Sequence, residues 1–331
     1  MKIKETIGID VSKLTLDACI HSNQQSATFE NSVKGFTLLV KWAYVNSECS
    51  KEHILFVFEH TGLYSEKLNE YLTEKMIPHT IIPGLEIKRS LGIVRGKNDK
   101  IDAAKIARYA HRMRDEITLS KAPSKQVATL KKLLSLRERL IKQRAGYKAS
   151  LKEQKKVLVQ KDCKLLFKVQ QKMVVELTKQ IKSIDMEMES IVKADTELLR
   201  IYNLLLSIRC IGSQAAMLLI VHTEGFTKFK NARKFAAYCG IAPYPNQSGT
   251  SIRGRTRVSP LANKKIKSLL NMCAMSSIIY NPEIRKYYHQ RVAAGKNKMS
   301  TINIIRNKLV SRAFAVVNRG TPYVNVYGHA S

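Results

Sequence analysis

The sequence predicts a fold of the class α/β plus α, with an α/β domain first, long coiled-coil helices after it and a mainly helical C-terminal domain. Three observations predict this. Short β-prone runs alternate with helix-periodic ones over the first hundred or so residues, no proline occurs between Pro123 and Pro243, and near Leu198 the composition shifts to a mix containing Gly and Tyr. A chain of 331 residues, 44% of them hydrophobic, has apolar material for two or three domains.

Taken in order, residues 6–10 (TIGID), 15–20 (TLDACI) and 25–29 (QSATF) read as three antiparallel strands in a meander. Phe36, Leu39, Val40 and Ala43 then recur at helical spacing, and residues 53–58 (HILFVF) form an apolar run of the kind buried on both faces of a sheet. A helix over 64–75, a strand over 79–82 and a helix from Asp99 complete the series β-β-β-α-β-α-β-α. That is the order of a ribonuclease-H-like domain, assigned to residues 1–120. Pro123 and Ser124 offer a boundary and a helix cap. Beyond them Val174, Leu177, Ile181, Ile184, Met188 and Ile191 make a heptad seam, with Arg137 and Arg144 on the less regular seam of the preceding stretch. Residues 121–197 are therefore read as an antiparallel helical hairpin or an intermolecular coiled coil, and 198–331 as a third unit of short helices with a basic tail.

Lys and Arg number 57 against 26 Asp and Glu, a net charge of +31. Such a surplus points to a polyanion bound through phosphate neutralisation and counterion release, so DNA or RNA is the expected partner. An anionic membrane is the competing polyanion. No basic amphipathic anchor, lipidation signal, signal-peptide pattern or apolar run of about 18 residues supports it. The six cysteines are scattered, without a C-x-x-C pair or zinc-ligand spacing, and read as reduced. The expected location is the cytoplasm, in association with the nucleoid.

Acidic residues stand out against this basic background. Asp10 ends the first strand and Glu59 the fourth, where neighbouring strand ends can bring carboxylates together. Asp99 and Asp102, three apart on one helix, share a face. Four converging acids repel one another unless they hold metal, and two Mg²⁺ or Mn²⁺ ions about 4 Å apart are the known solution for phosphoryl transfer. Taken singly, Asp10 reads as a turn cap and Asp99 as a helix cap; the joint pattern favours the metal site. The I-G-I-D hairpin at 7–10 also suggests the phosphate grip of actin-like ATPases and sugar kinases, but Val11-Ser12-Lys13 replaces their following Gly-Thr pair.

Three segments together, G-I-D-V-S-K at 8–13, E-H-T-G-L-Y at 59–64 and K-N-D-K-I-D-A at 97–103, resemble the DEDD transposases of bacterial insertion sequences. The resemblance implies a RuvC-like ribonuclease-H fold with Asp10, Glu59, Asp99 and Asp102 as catalytic metal ligands, a coiled coil, and a C-terminal transposase domain. C-G-I-A-P-Y-P-N-Q-S-G at 239–249 looks like the family segment holding a serine nucleophile, which maps onto Ser248. Unaided, Q-S-G reads as a loop serine in a turn that can expose its hydroxyl. Arg253, Arg255 and Arg257, then Lys264, Lys265 and Lys267, form a candidate backbone-phosphate clamp, with a solvated basic face as the plain alternative. Residues 208–216 (IRCIGSQAA) are similar to a helix-hairpin-helix turn, with Arg209 and Cys210 where Pro and Gly are usual, and Pro260-Leu261-Ala262 stands where the family often has Lys-Arg-Gly.

The function implied is DNA cleavage and rejoining through a phosphoserine intermediate with metal assistance. The resemblance further implies a structured bridge RNA that pairs with donor and target DNA, and assembly as dimers or tetramers in which acids of one subunit work with the serine of another. The sequence also allows two rivals, a metal-dependent nuclease or junction resolvase using water, and a non-catalytic nucleic-acid-binding protein left by a decayed transposase.

Overall fold

The structure is a computed structural model that describes residues 2–90, 99–120, 123–159, 161–248 and 252–324; of Asp99, Lys100, Ser248, Ile252, Arg253 and Arg255 it describes the backbone alone. Its first unit is Met1–Ala122 and its second Pro123–Ser331.

In the first unit, β1 (Glu5–Val11), β2 (Thr15–Ile20) and β3 (Ser26–Glu30) form the expected meander. It is followed by α1 (Val33–Asn46), β4 (Ile54–Glu59), α2 (Leu63–Glu74), β5 (His79–Ile82), α3 (Gly84–Ser90) and α4 (Asp99–Arg112). The five strands lie in the order β3-β2-β1-β4-β5, antiparallel across β1–β2–β3 and parallel across β1–β4–β5. This mixed sheet has the order expected of a ribonuclease-H-like domain. β4 lies between β1 and β5 and its first five residues are all buried, as a continuous apolar run requires. One face packs Ile7, Ile9, Phe56 and Phe58 against Phe36, Leu39, Leu68 and Leu72 of α1 and α2. The other packs Leu55 and Val57 against Ile106, Tyr109 and Ala110 of α4. The short helix α3 was not anticipated.

The free edge of β5 is strapped by residues 118–120. Ile81 N donates to Ser120 Oγ at 2.9 Å, Ser120 N to the His79 carbonyl at 2.9 Å, and Thr80 Oγ1 to the Thr118 carbonyl at 3.1 Å.

The second unit begins with two long helices, α5 (Lys125–Val157) and α6 (Lys164–Ala194). Ser124 caps α5, its Oγ accepting from Val127 N at 3.3 Å. The helices run antiparallel: Arg137 grips Asp185 with Nε at 2.6 Å, Arg144 Nη1 reaches Thr178 Oγ1 at 3.3 Å, and Gln170 Nε2 reaches Gln154 Oε1 at 2.8 Å. The seam residues Leu177, Ile181 and Met188 are buried, and the two arginines that interrupted the pattern on α5 make polar cross-links. Val127, Leu130 and Leu134 at the base of α5, with Met188 and Val192 of α6, belong to the same core as the helices that follow.

Those are α7 (Thr196–Leu206), α8 (Ser213–Thr223), α9 (Ala232–Tyr238), α10 (Lys264–Tyr280), α11 (Pro282–Ala293) and α12 (Lys298–Arg319). Between α9 and α10 stands a hairpin that sequence reading did not name, β6 (Pro243–Ser248) paired antiparallel with β7 (Ile252–Val258). Among the described residues no helix is long and apolar enough to cross a membrane.

Candidate functional site

The acidic site is built on the sheet face that α4 covers. α4 lies so close to β1 that a Cβ at Gly8 would stand 2.2 Å from both the Ala103 carbonyl oxygen and Ala107 N. Thr6 Oγ1 bonds the Ala107 carbonyl at 3.0 Å, so the helix runs opposite to β1 and its first turn lies toward the strand's carboxyl end. Asp10, two residues beyond Gly8, projects to the same face. One helical turn back from Ala103, about 6 Å, the backbone of Asp99 reaches that same end.

Glu59 joins from the neighbouring strand. Ile9 registers with Phe58, so the next residues, Asp10 and Glu59, end side by side on one face of the parallel pair, both half-buried. The Glu59 carboxylate occupies the space above Gly84 at the start of α3, where a Cβ would stand 1.9 Å from Oε1. Asp102 is engaged differently, its Oδ1 accepting from Lys105 Nζ at 2.6 Å one turn along the same helix. Among the described residues no three acidic, His or Cys side chains converge closely enough to hold a metal ion, and the side chain of Asp99 lies outside them.

Three residues that sequence reading passed over belong to this region. Asp17 on β2 registers directly opposite Asp10, is 8% exposed and accepts from Thr28 Oγ1 at 2.6 Å. Its signal was an acid in the middle of an apolar strand. Asn31 Nδ2 donates to the carbonyls of Ser12 at 2.8 Å and Tyr64 at 3.1 Å, tying the loop after β1 to the first turn of α2. The Thr61 hydroxyl, two residues after Glu59, is buried without a hydrogen-bond partner among the described residues. All-oxygen donors suit a hard divalent cation, and this orphaned hydroxyl fits a site that also binds solvent. The donor chemistry therefore suits the implied metal, while among the described residues Asp102 is paired with Lys105.

In the second unit Ser248 is the last residue of β6 and pairs with Ile252; its side chain, with residues 249–251, lies outside the described part. Pro243 to Gln247 are all exposed. Pairing slips between Tyr244–Arg257 and Asn246–Gly254, so a bulge in β7 interrupts the strand's two-residue alternation. Arg257 is exposed, and the side chains of Arg253 and Arg255 are not described. Lys264 is exposed, Lys267 half-buried, and Lys265 forms an ion pair with Glu138 of α5. Nearby, the half-buried His222 lies 6.3 Å from the Tyr238 ring. Burial pushes its pKa down to about 4, with Glu138 opposing and Lys228, Lys131 and Lys265 reinforcing the shift.

The loop joining α7 to α8 explains one departure from the helix-hairpin-helix pattern. Cys210 has φ +73°, the left-handed conformation for which Gly is usual. Gly212 caps α8 without a side-chain hydrogen bond, which leaves the first amides of that helix to other acceptors.

With this geometry in hand, comparison with known proteins identifies the family. Residues 7–160 match a family described as "Transposase", and residues 202–289 match "Transposase IS116/IS110/IS902 family". The chain is 30% identical to the pilin gene-inverting protein of Moraxella bovis over 97% of its own length and 98% of that protein, and equally so to its namesake in Moraxella lacunata. A 43.6 kDa protein of insertion element IS110 from Streptomyces coelicolor is 30% identical over 34% of this chain and 28% of its own. The chain therefore belongs to the IS116/IS110/IS902 family of transposases and is a DNA transposase/recombinase.

Proposed function

We propose that this transposase cuts and rejoins the ends of an insertion sequence with a RuvC-like acidic site in residues 1–120 and a serine nucleophile in residues 198–331, joined by coiled-coil helices over 121–197. The observation that carries the reading is the meeting of Asp10 and Glu59 at adjacent strand ends under the first turn of α4. Asp10, Glu59, Asp99 and Asp102 would hold Mg²⁺ or Mn²⁺, which when bound stabilises negative charge on phosphate oxygens. Ser248 Oγ attacks a DNA phosphorus; the bond to the departing sugar oxygen breaks, that oxygen takes a proton, and the chain holds a phosphoserine ester. A free DNA hydroxyl then attacks the phosphoserine and releases Ser248, so one ester is exchanged for another at each step.

The names of the Moraxella relatives favour rejoining over hydrolysis, because inverting a gene requires every cut end to be resealed. The charge of +31 suits a duplex and a structured RNA bound together. A bridge RNA supplies sequence choice by base pairing with donor and target DNA, while Arg253, Arg255, Arg257, Lys264, Lys265 and Lys267 contact backbone phosphates. The protein acts as a dimer or tetramer in which the acids of one copy serve the serine of another.

The test is incubation of the full chain with the RNA transcribed beside its gene, Mg²⁺ and a duplex carrying the element's end, followed by denaturing gels. A covalent protein–DNA adduct that disappears in both Ser248→Ala and Asp10→Ala is the expected result. Cleavage without an adduct would show water to be the nucleophile, and binding without cleavage would show a non-catalytic protein.

A further inference from the structure

Arg306, in the middle of α12, is 6% exposed and, among the described residues, is the lone buried Lys or Arg. Among the described residues no carboxylate accepts from it. Its Nη2 donates to Asn271 Oδ1 at 2.5 Å and its Nη1 to Asn303 Oδ1 at 3.4 Å, and its buried Nε has no hydrogen-bond partner among the described residues. Burial lowers its pKa. A cation in this position is costly, and an apolar side chain of similar volume would fill the space at less cost. Packing alone gives no reason for a guanidinium here.

What the guanidinium contacts supplies one. By taking the oxygen of Asn303, Arg306 turns the amide nitrogen of that residue the other way, where Nδ2 donates to the Ile241 carbonyl at 2.8 Å. One turn along α12, Asn307 Nδ2 donates to the same carbonyl at 2.9 Å and to the Asn303 carbonyl at 2.9 Å. Ile241 and Ala242 are buried and lead directly into β6.

The other foot of the hairpin is gripped as well. Gly240, at φ +65°, sits so close to Ala262 that a Cβ there would lie 2.3 Å from that of the alanine. Asn263 N also bonds the Tyr238 carbonyl at 2.9 Å.

The feet matter because the strand is paired with β7 while Pro243 to Gln247 are exposed throughout, so the hairpin projects as a unit from its base. Seven residues at about 3.3 Å each set Ser248 roughly 23 Å from Ile241, so a tilt of about 5° at the foot moves the serine by about 2 Å. A displacement of only about 1 Å can slow an oriented displacement reaction about a hundredfold.

We propose that Arg306, Asn303 and Asn307 are positioning residues for the reaction: the guanidinium sets the Asn303 amide, and the two amides fix the direction in which the hairpin carrying Ser248 leaves the helical body. The proposal rests on Ser248 being the nucleophile. Asn303→Asp separates this role from a structural one. The new carboxylate gives Arg306 a counter-charge but has no hydrogen to donate to Ile241.

The full-length variant is compared with wild type for melting temperature, for affinity toward a fluorescent duplex of the element's end, and for the single-turnover rate of adduct formation. The expected result is unchanged or raised melting temperature, unchanged affinity and an adduct rate reduced at least about tenfold. An adduct rate equal to wild type overturns the proposal, as does a fall in affinity that accounts for the whole loss. Should Asn303→Asp fail to fold, Asn307→Ser removes the second donor to the same carbonyl and is read by the same outcomes. If wild type forms no adduct, or Ser248→Ala still forms one, the serine reading fails, and that result is distinct from a variant with normal adduct formation.

Discussion

Two glycines of the acidic region make opposite demands. At Gly8 the added methyl of alanine would meet backbone atoms of α4, which cannot yield without moving the helix; at Gly84 it would meet the movable carboxylate of Glu59. Gly8→Ala is therefore expected to lower stability by more than about 2 kcal/mol in chemical unfolding. Gly84→Ala should leave the unfolding midpoint almost unchanged while cutting DNA cleavage at least about tenfold, through displacement of the Glu59 carboxylate proposed above as a metal ligand. Equal losses of stability in the two variants would refute this distinction. The placement of Asp10 and Glu59 at strand ends was legible in the sequence because an acid closing an apolar run is a local signal. Gly84, Asn31 and Asp17 were not, since each draws its meaning from a residue that only the fold brings near: Glu59, the Ser12 and Tyr64 carbonyls, and Asp10 respectively.

Elements were most legible where burial imposes a period. The strands β1 to β5 and the seam of α6 follow apolar spacing closely. The β6–β7 hairpin escaped because its first strand, P-Y-P-N-Q-S, is exposed and carries no alternation to detect. The polar interruption of α5 now has a cause, since Asp185 of α6 accepts from Arg137 and also from Gln214 Nε2 of α8 at 3.0 Å, linking three helices. Arg137→Met leaves that carboxylate with a single neutral donor and should cost about 2 kcal/mol, whereas Gln214→Ala should cost under about 1; urea unfolding of both variants checks the order.

His222 gives the helical unit a pH response. The folded protein keeps this imidazole neutral down to about pH 4, whereas the unfolded chain protonates it below its ordinary 6.5. The contribution is complete above pH 6.5, falls away as pH drops toward 4 and is constant below that. Its full size is on the order of 2 kcal/mol after allowance for solvent screening. Thermal melts of wild type should show this decline, and those of His222→Gln a flatter profile.

At the level of the whole molecule, the surplus of 57 basic over 26 acidic residues predicts nucleic-acid binding that weakens steeply with salt. Glu138 moderates it by occupying Lys265. Glu138→Gln releases that lysine, so affinity for duplex DNA should rise at low salt and the slope of log affinity against log salt should steepen by up to about 1. An unchanged slope would mean that Lys265 meets no phosphate. The charge and the run of helices were plain in the composition. The role proposed for Ser248 was not, because a serine in a polar turn has no physical signature apart from the surface it faces.

The strap across β5 bears on what can dock against the first unit. An unsatisfied strand edge is an adhesive surface that takes up any extended peptide regardless of its sequence. Ser120 and Thr118 satisfy the His79–Ile81 edge from within the chain, so this border of the sheet is closed to a stranger's backbone. Recognition of the first unit at that border must then proceed through side chains, where identity can be discriminated. Removing residues 118–120 would convert a selective surface into a sticky one.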